Sequence, residues 1–192
     1  VESTPLLSWQ KAAIESIGLE LAIVTGYKAS AFDHLGLETI ENVHWGETNM
    51  VASLLCADDF LDDDLIVSYA DIIYAPSAVK TLNEQRHDVC ILYDKNWESL
   101  WSERFDDPLE DAESFSIDLE KGLILDIGRK NVSKKEIDGQ YMGLMSFSRK
   151  GLGWIKEVVH GLPEGAGQMD MTTLLQALID CGFPVHGQIF EG

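Results

Sequence analysis

A single aspartate after a short apolar run is a candidate for metal and phosphate chemistry. Residues 65–67 are apolar and mostly β-branched, and Asp71 follows them closely. Such a run is typical of a strand buried on both faces. A parallel strand would deliver Asp71 to the carboxyl edge of the sheet, where α/β proteins bind ligands. A carboxylate there suits a divalent cation held between protein and phosphates. The simpler alternative is that Asp71 only forms the turn after the strand.

Other polar residues are predicted to lie at the ends of nearby elements. Lys28 follows another short apolar run, where it could reach a phosphate, although a solvated loop lysine fits equally well. Asn49 and Ser53 lie one turn apart at the start of a predicted helix, residues 50–57. Their amide and hydroxyl groups could pair with the edge of a base. Capping by Thr48 or Asn49 is a sufficient alternative explanation.

Two tryptophans and an acidic run mark a change of pattern in the middle of the chain. Trp97 and Trp101 have the i, i+4 spacing that places them on one face of a helix. Residues 107–113 follow, with four acidic side chains in seven positions. The aromatic pair suits either a binding face or ordinary core packing.

Composition excludes several classes of function. The 192 residues include 14 basic and 33 acidic ones, for a formal charge of -19. This charge repels nucleic acid and anionic membranes, so we expect neither as a partner. No apolar run approaches the roughly 20 residues of a membrane span. Cys56, Cys90 and Cys181 show no metal-binding spacing and have mostly apolar neighbours. They predict buried free thiols in a reducing, cytoplasmic compartment.

Hydrophobic patterns predict alternating helices and strands. The predicted helices are 5–17, 50–57, 77–86, 153–160 and 171–181, besides the tryptophan segment. The predicted strands are 21–24, 42–45, 65–67, 89–93, 114–118, 123–127, 140–148 and 184–190. The layout is an α/β fold with a late antiparallel insertion.

Four motifs in this order suggest a family. They are Tyr-Ala-Asp at 69–71, the two tryptophans followed by Arg104, Asp-Pro-Leu-Glu-Asp-Ala-Glu at 107–113, and Gly-Gln-Tyr-Met-Gly at 139–143. Taken together, the sequence resembles nucleotidyltransferases of the GT-A-like Rossmann type. Within them it is most similar to the cytidylyltransferases that activate phosphocholine or 2-aminoethylphosphonate with CTP. The resemblance covers nearly the whole chain.

The resemblance implies both a fold and an activity. The fold would be a Rossmann-like α/β fold of GT-A type, with a mostly parallel mixed sheet flanked by helices, and residues 1–192 would form a single nucleotidyltransferase domain. The activity would join CMP from CTP to a small phosphorylated amine and release pyrophosphate. Mg²⁺ would be the cofactor, with Asp71 as its ligand. Lys28 is our candidate for orienting the attacking oxygen.

The resemblance also implies two groups of binding residues. The nucleotide would contact Thr48, Asn49, Ser53 and Tyr69. The phosphorylated amine would contact Tyr27, Trp97, Trp101, Arg104, Asp111, Glu113, Gln140 and Tyr141. Aromatic faces favour a quaternary ammonium, whereas carboxylates favour a primary ammonium with its N–H donors. The second group offers both, so the sequence leaves choline and aminoethyl acceptors open.

Two features of the family that the sequence resembles are not found in it. The family has a Gly-rich phosphate loop near its start and a second metal-binding aspartate near its end. We expect both to lie outside residues 1–192.

Two other functions remain alternatives. A sugar-1-phosphate nucleotidyltransferase is one alternative, although sugars would need hydroxyl-binding groups where the tryptophans stand. A non-catalytic ligand-binding module on the same fold is the other.

Overall fold

Helices and strands alternate along the chain in the computed structural model, which describes residues 4–162 and 166–190. The α-helices are α1 (Leu6–Glu15), α2 (Met50–Cys56), α3 (Pro76–Asn83), α4 (Trp97–Arg104), α5 (Arg149–His160) and α6 (Met171–Asp180). The strands are β1 (Ala22–Thr25), β2 (Glu38–Glu41), β3 (Leu65–Ser68), β4 (Val89–Asp94), β5 (Phe115–Asp118), β6 (Leu123–Ile127), β7 (Gln140–Phe147) and β8 (His186–Ile189). Short 3-10 helices lie between some of these elements.

The main sheet is mixed, and this confirms the predicted fold class, although the described strand pairs are mostly antiparallel and not mostly parallel as predicted. Its strand order is β3-β7-β4-β8-β6-β5. Only β4 and β8 pair in parallel within the described sheet, yet β3, β4, β5 and β8 all run in one direction. The antiparallel β5–β6 hairpin is the predicted late insertion. Strand β7 adds more antiparallel pairing, because it lies between β3 and β4 and pairs with both.

Strand β4 separates two apolar cores, one on each face of the sheet. Val89, Ile91 and Tyr93 face a core formed with α2, α5 and α6. Cys90 and Leu92 face a smaller core formed with α1 and α3. The alternation follows from the period of two in a strand, which sends successive side chains to opposite faces. A strand buried on both faces therefore needs an unbroken apolar run.

The second predicted strand was misplaced. Residues 42–45 form a turn, and the strand is the preceding segment Glu38–Glu41, which pairs in parallel with β1. The reason is Asn42, whose buried side-chain amide accepts a hydrogen bond from the backbone N–H of His44. Asparagine favours turns because its side chain can bond to the backbone two residues later.

The cysteines are free thiols, as predicted, but only one of them is buried. Cys90 is buried within β4, whereas Cys56 and Cys181 are exposed. Cys56 ends α2, and Cys181 caps the carboxyl end of α6. Both thiols lie at helix ends, and this explains why they are exposed although their neighbours in sequence are mostly apolar.

No helix in the described ranges is long and apolar enough to cross a membrane.

Two histidines stack at the edge of the sheet where β4 and β8 begin. The ring centroids of His87 and His186 are 3.6 Å apart, with 12° between the ring planes. Burial lowers the pKa of His186, and the neighbouring His87 imidazole lowers it further, while a backbone bond to Val89 and the Asp88 carboxylate act in the opposite direction. The folded protein therefore disfavours the protonated form of His186.

This pair predicts a loss of stability in mild acid. Because the pKa of His186 is lower in the folded state than its usual value near 6.5, the unfolded chain binds the proton more tightly. The free energy of unfolding should therefore fall as the pH drops through about 6.5. Urea denaturation between pH 7.5 and 5 should show a weaker fall for His186→Gln. His160→Gln, at an exposed position in the last turn of α5, should keep the full fall. Equal pH dependence in all three proteins would contradict the assignment.

Candidate active site

Three strands bring the predicted site residues to one edge of the main sheet. The last residue of β3, Ser68, pairs with Leu144 of β7. The last residue of β4, Asp94, pairs with Gln140, the first residue of β7. The carboxyl end of β4 thus meets the amino end of β7, and the carboxyl end of β3 meets the middle of β7. Ligands bind at the carboxyl edge in open α/β sheets.

A cavity of about 230 Å³ lies at this edge. Of the predicted site residues, its walls contain Tyr69, Trp101, Asp111, Glu113, Gln140 and Tyr141. The other lining residues are Met50, Ser114, Phe115, Ile127, Lys130, Asp170 and Thr172. The cavity therefore combines aromatic walls with several charged groups. This combination suits a small ligand that carries both apolar and charged parts.

Asp71 lies beside the cavity on the turn that follows β3. Its side chain is exposed, and its negative charge is close enough to act on the Tyr69 hydroxyl. No three His, Cys, Asp or Glu side chains in residues 4–162 and 166–190 cluster closely enough to hold a metal by themselves. Mg²⁺ needs no such cluster, because it is commonly held by one or two carboxylates together with water and substrate phosphates. A lone exposed carboxylate at the strand end fits that ion.

Two tyrosines form an aromatic wall of the cavity. Tyr69 and Tyr141 meet edge to face, with ring centroids 5.6 Å apart. Burial raises the pKa of Tyr69, a hydrogen bond with Tyr141 opposes the rise, and the charges of Asp170, Glu113 and Asp71 add to it. The Tyr69 phenol therefore stays protonated at neutral pH and can donate a hydrogen bond.

Glycine at position 143 lets the Tyr69 ring lie over β7. The Gly143 backbone has φ +77°, and a side chain there would come within 3.0 Å of the ring. The N–H of Tyr69 donates to the carbonyl of Gly143 at 2.9 Å. Only glycine combines this φ with so close a ring.

The two predicted tryptophans occupy different environments. Trp97 is buried and packs with Ala112 and Ile137, away from the cavity wall. Trp101 is half-buried and lines the cavity, with its ring 6.1 Å from that of Trp97 in an edge-to-face contact. The Trp101 indole N–H is buried and has no hydrogen-bond partner among the described residues. Arg104 lies over the Trp101 ring at 5.8 Å and does not line the cavity.

The carboxylates in the cavity hold an internal ammonium group. Lys130 Nζ donates to the backbone carbonyl of Asp111 at 2.9 Å. It also lies 3.1 Å from Glu113 Oε1 and 3.9 Å from Asp111 Oδ1. Three oxygens of two residues thus converge on one ammonium. Sequence reasoning missed Lys130, which the β5–β6 hairpin brings back to Asp111 from 19 positions away.

Gln140 fixes the position of Glu113. Its side-chain Nε2 donates to the Glu113 carbonyl at 2.6 Å, and its Oε1 accepts from the Glu113 N–H at 3.2 Å. A further bond joins Nε2 to the carbonyl of Gly139. Gln140 is itself buried, so the amide has a rigid setting. Gln140 is the first residue of β7 and lies opposite the end of β4, and from this position its side chain can bond to the backbone of Glu113.

The residues predicted to bind the base lie next to the cavity and bond within the protein. Buried Asn42 donates to the hydroxyls of Thr48, at 3.0 Å, and Ser53, at 3.1 Å. Asn49 caps α2, with its Oδ1 accepting from the N–H of Met50. Met50 lines the cavity, whereas Thr48, Asn49 and Ser53 do not. Asn42 was missed from the sequence because it was assigned to a strand.

Tyr27 and Lys28 lie apart from the other predicted site residues. Strand β1, which precedes them, pairs with β2 in a two-stranded sheet and not with the six described strands of the main sheet. Tyr27 is 64% exposed and packs against Trp45 at 5.2 Å. Lys28 Nζ lies 5.1 Å from the centre of the Tyr27 ring. Lys28 and Asp71 therefore follow strands of different sheets in the described part of the chain.

Comparisons with known proteins give a consistent family. No protein-family model matches the chain. A CTP:phosphoglutamine cytidylyltransferase from Campylobacter jejuni subsp. jejuni serotype O:2 is 35% identical over 194 residues, which cover 91% of this chain and 76% of the relative. An identity of this level over most of both chains is the finding that assigns the family.

Two solved structures share the fold. The inositol-1-phosphate CTP transferase from T. maritima has a TM-score of 0.70 at 17% identity, covering 96% of this chain and 72% of that one. A putative glucose-1-phosphate thymidylyltransferase from Bacillus anthracis, in complex with a sucrose, has a TM-score of 0.69 at 18% identity, covering 98% and 75%. At these identities the match establishes the Rossmann-like fold alone. Together with the sequence match, it shows that the chain belongs to the cytidylyltransferase family of nucleotidyltransferase enzymes.

Proposed function

We propose that this protein transfers CMP from CTP to a small phosphorylated amine and releases pyrophosphate. Residues 1–192 would act as one nucleotidyltransferase domain. The observation that carries the proposal is the cavity at the sheet edge, where Asp111 and Glu113 already surround an ammonium group beside aromatic walls. Asp71 lies next to the same cavity, where a nucleotide phosphate could approach both it and the acceptor. The family supplies the nucleotide, since the relative is named for its use of CTP.

The chemistry requires positioning more than proton transfer. An oxygen of the acceptor's phosphate or phosphonate attacks the α-phosphorus of CTP, a new P–O bond forms, and the bond to pyrophosphate breaks. The attacking oxygen is already an anion, so no general base is needed. Mg²⁺ held by Asp71 would neutralise phosphate charge. The residues of the cavity would hold the acceptor in line, which is the larger part of such catalysis.

The contacts of Lys130 favour a primary ammonium on the acceptor. Its Nζ is a primary ammonium, and its N–H donors are met by oxygens of Asp111 and Glu113. An acceptor ammonium could take the same place, because Lys130 is half exposed and can turn outward. A trimethylammonium group has no N–H donor to offer these oxygens. The oxygens of Asp111 and Glu113 therefore favour 2-aminoethylphosphonate over phosphocholine as the acceptor.

A phosphorylated amino acid is a second candidate, and Lys130 favours it as well. The similar enzyme from Campylobacter is named for phosphoglutamine, and glutamine carries an α-ammonium next to an α-carboxylate. The cavity places the Lys130 ammonium directly beside the carboxylate of Glu113. The ammonium of such an acceptor could contact Glu113 while its carboxylate contacts Lys130. The aminophosphonate and the amino-acid phosphate therefore differ in their need for Lys130.

The preference for one nucleoside triphosphate over the others tests whether CTP is the substrate. We expect pyrophosphate release to be much faster with CTP than with UTP, because cytosine has an exocyclic N–H donor where uracil has an acceptor, and a site that pairs the donor rejects the other base strongly. The assay follows pyrophosphate release by the full-length protein with each of the four nucleoside triphosphates, using a phosphorylated amine as acceptor and omitting it in the control. Equal rates with CTP and UTP, or a preference for a purine nucleotide, would contradict CTP as the substrate.

A further inference from the structure

A buried glutamine joins α1 to the turn that carries Asp71. The side-chain Nε2 of Gln10 donates to the carbonyls of Tyr69 and Ile72, each at 2.8 Å. Gln10 is only 5% exposed. Both N–H groups of its amide are therefore used on a segment 59 and 62 positions further along the chain. The two carbonyls stand on either side of Asp71.

Within the described residues, the Asp71 carboxylate is not held in place by contacts of its own. It is exposed, and no hydrogen bond or ion pair joins its carboxylate to a side chain or backbone group within residues 4–162 and 166–190. Its location therefore depends on the backbone of residues 69–72. That backbone is held on one side by β7, through the bond from the Tyr69 N–H to Gly143. On the other side it is held by Gln10.

A buried glutamine at position 10 suggests that this residue holds the turn at 69–72 in place. The face of α1 that carries Gln10 also buries Ala13 and Ile14, so an apolar side chain would fit the surroundings. A buried amide is costly unless its hydrogen bonds are made, and here both donors meet backbone carbonyls of a single turn. Such a side chain fixes a loop conformation more narrowly than apolar packing does, because hydrogen bonds depend on direction.

We propose that Gln10 is a positioning residue, which acts by holding the turn 69–72 so that the Asp71 carboxylate stays at the sheet edge beside the cavity. Gln10 itself does not line the cavity. The proposal rests on the proposed function only for the role of Asp71. The clamp between Gln10 and the turn is a separate claim, and it can be measured without any substrate.

Hydrogen exchange tests the clamp directly. In Gln10→Met, which keeps the size but removes both donors, the backbone amides of residues 69–72, above all the Tyr69 N–H that donates to the Gly143 carbonyl, should exchange at least about tenfold faster, because local opening of the turn becomes easier. Val158→Ala, which truncates a buried side chain of α5 on the other face of the sheet, is the control for a general loss of stability and should leave these amides unchanged. Gln10→Asn, too short to reach both carbonyls, should give a smaller increase and serves if Gln10→Met does not fold. Unchanged exchange in both Gln10 variants would overturn the clamp.

A double-mutant cycle tests the link to Asp71. We expect Gln10→Met to lower kcat roughly 10- to 100-fold, since small displacements of catalytic groups have effects of this size. The same change in an Asp71→Asn background should lower kcat little further, because the two residues act through one turn. Fully additive losses would overturn the positioning role. Faster exchange in a protein that shows no nucleotide transfer with any acceptor would support the clamp and count against the proposed function instead.

Discussion

Replacing Asp71 with asparagine should lower kcat by roughly 10³-fold while leaving Tm within a few degrees. A bound metal contributes several kcal/mol of charge stabilisation in reactions of this type, and each 1.36 kcal/mol is a factor of ten in rate. The small change in Tm is expected because the Asp71 side chain is exposed and asparagine has nearly the same size. Exposed substitutions usually change the free energy of unfolding by about 0.5 kcal/mol or less.

The control for Asp71 is another exposed aspartate, at the opposite end of β3. Asp63→Asn removes one negative charge from the segment before β3, and it should keep near-normal activity. The two variants together separate a specific metal ligand from a general effect of charge. Near-normal turnover by Asp71→Asn at saturating Mg²⁺ would mean that the metal is held elsewhere.

The second large effect is expected at the carboxylates of the cavity. Glu113→Gln and Asp111→Asn should each raise the KM for a primary-amine acceptor roughly 10- to 100-fold, with little change in the KM for CTP. The estimate comes from hydrogen bonds to charged groups, which contribute about 1.5–3 kcal/mol, at 1.4 kcal/mol for each factor of ten. Steady-state kinetics with each substrate varied in turn measures both constants.

Glu110→Gln is the matched control for the carboxylates, because Glu110 is exposed in the preceding 3-10 helix and does not line the cavity. It should leave both constants near their normal values. Trp101→Ala reports on the aromatic wall, and it should impair phosphocholine more than a primary amine if quaternary acceptors bind there. If the Glu113, Asp111 and Trp101 variants all use both amines normally, the acceptor binds outside this cavity.

Periodicity predicted most of the fold. The apolar run 65–67 predicted a strand buried on both faces, but the residues of β3 are only half-buried, because β3 lies at the edge of the described sheet. The apolar run 89–93 predicted a strand, and Val89 to Tyr93 of β4 are all buried. The i, i+4 spacing of Trp97 and Trp101 predicted one helix, and both lie in α4. The spacing did not reveal which tryptophan is buried. That outcome depends on Ala112 and Ile137, which reach Trp97 only after the chain has folded.

Two of the missed residues, Lys130 and Gln10, share one physical feature, since their roles come from contacts between distant segments. Lys130 looks like an ordinary solvated lysine until the β5–β6 hairpin brings it to Asp111 and Glu113. Gln10 looks like a polar helix residue until the turn after β3 packs against α1. Local patterns report which face of an element is buried. They do not report which distant partner satisfies a buried polar group.

The most direct test of the proposed function is to identify the product of the reaction. The full-length protein, with CTP and Mg²⁺, would be incubated separately with 2-aminoethylphosphonate, phosphocholine, phosphoglutamine and a sugar 1-phosphate, and both pyrophosphate and the CMP adduct would be measured. We predict pyrophosphate release that depends on a phosphorylated amine, with an equal amount of the CMP–acceptor adduct identified by mass spectrometry. Turnover with the sugar 1-phosphate alone, or no adduct with any of the amines, would contradict the proposed function.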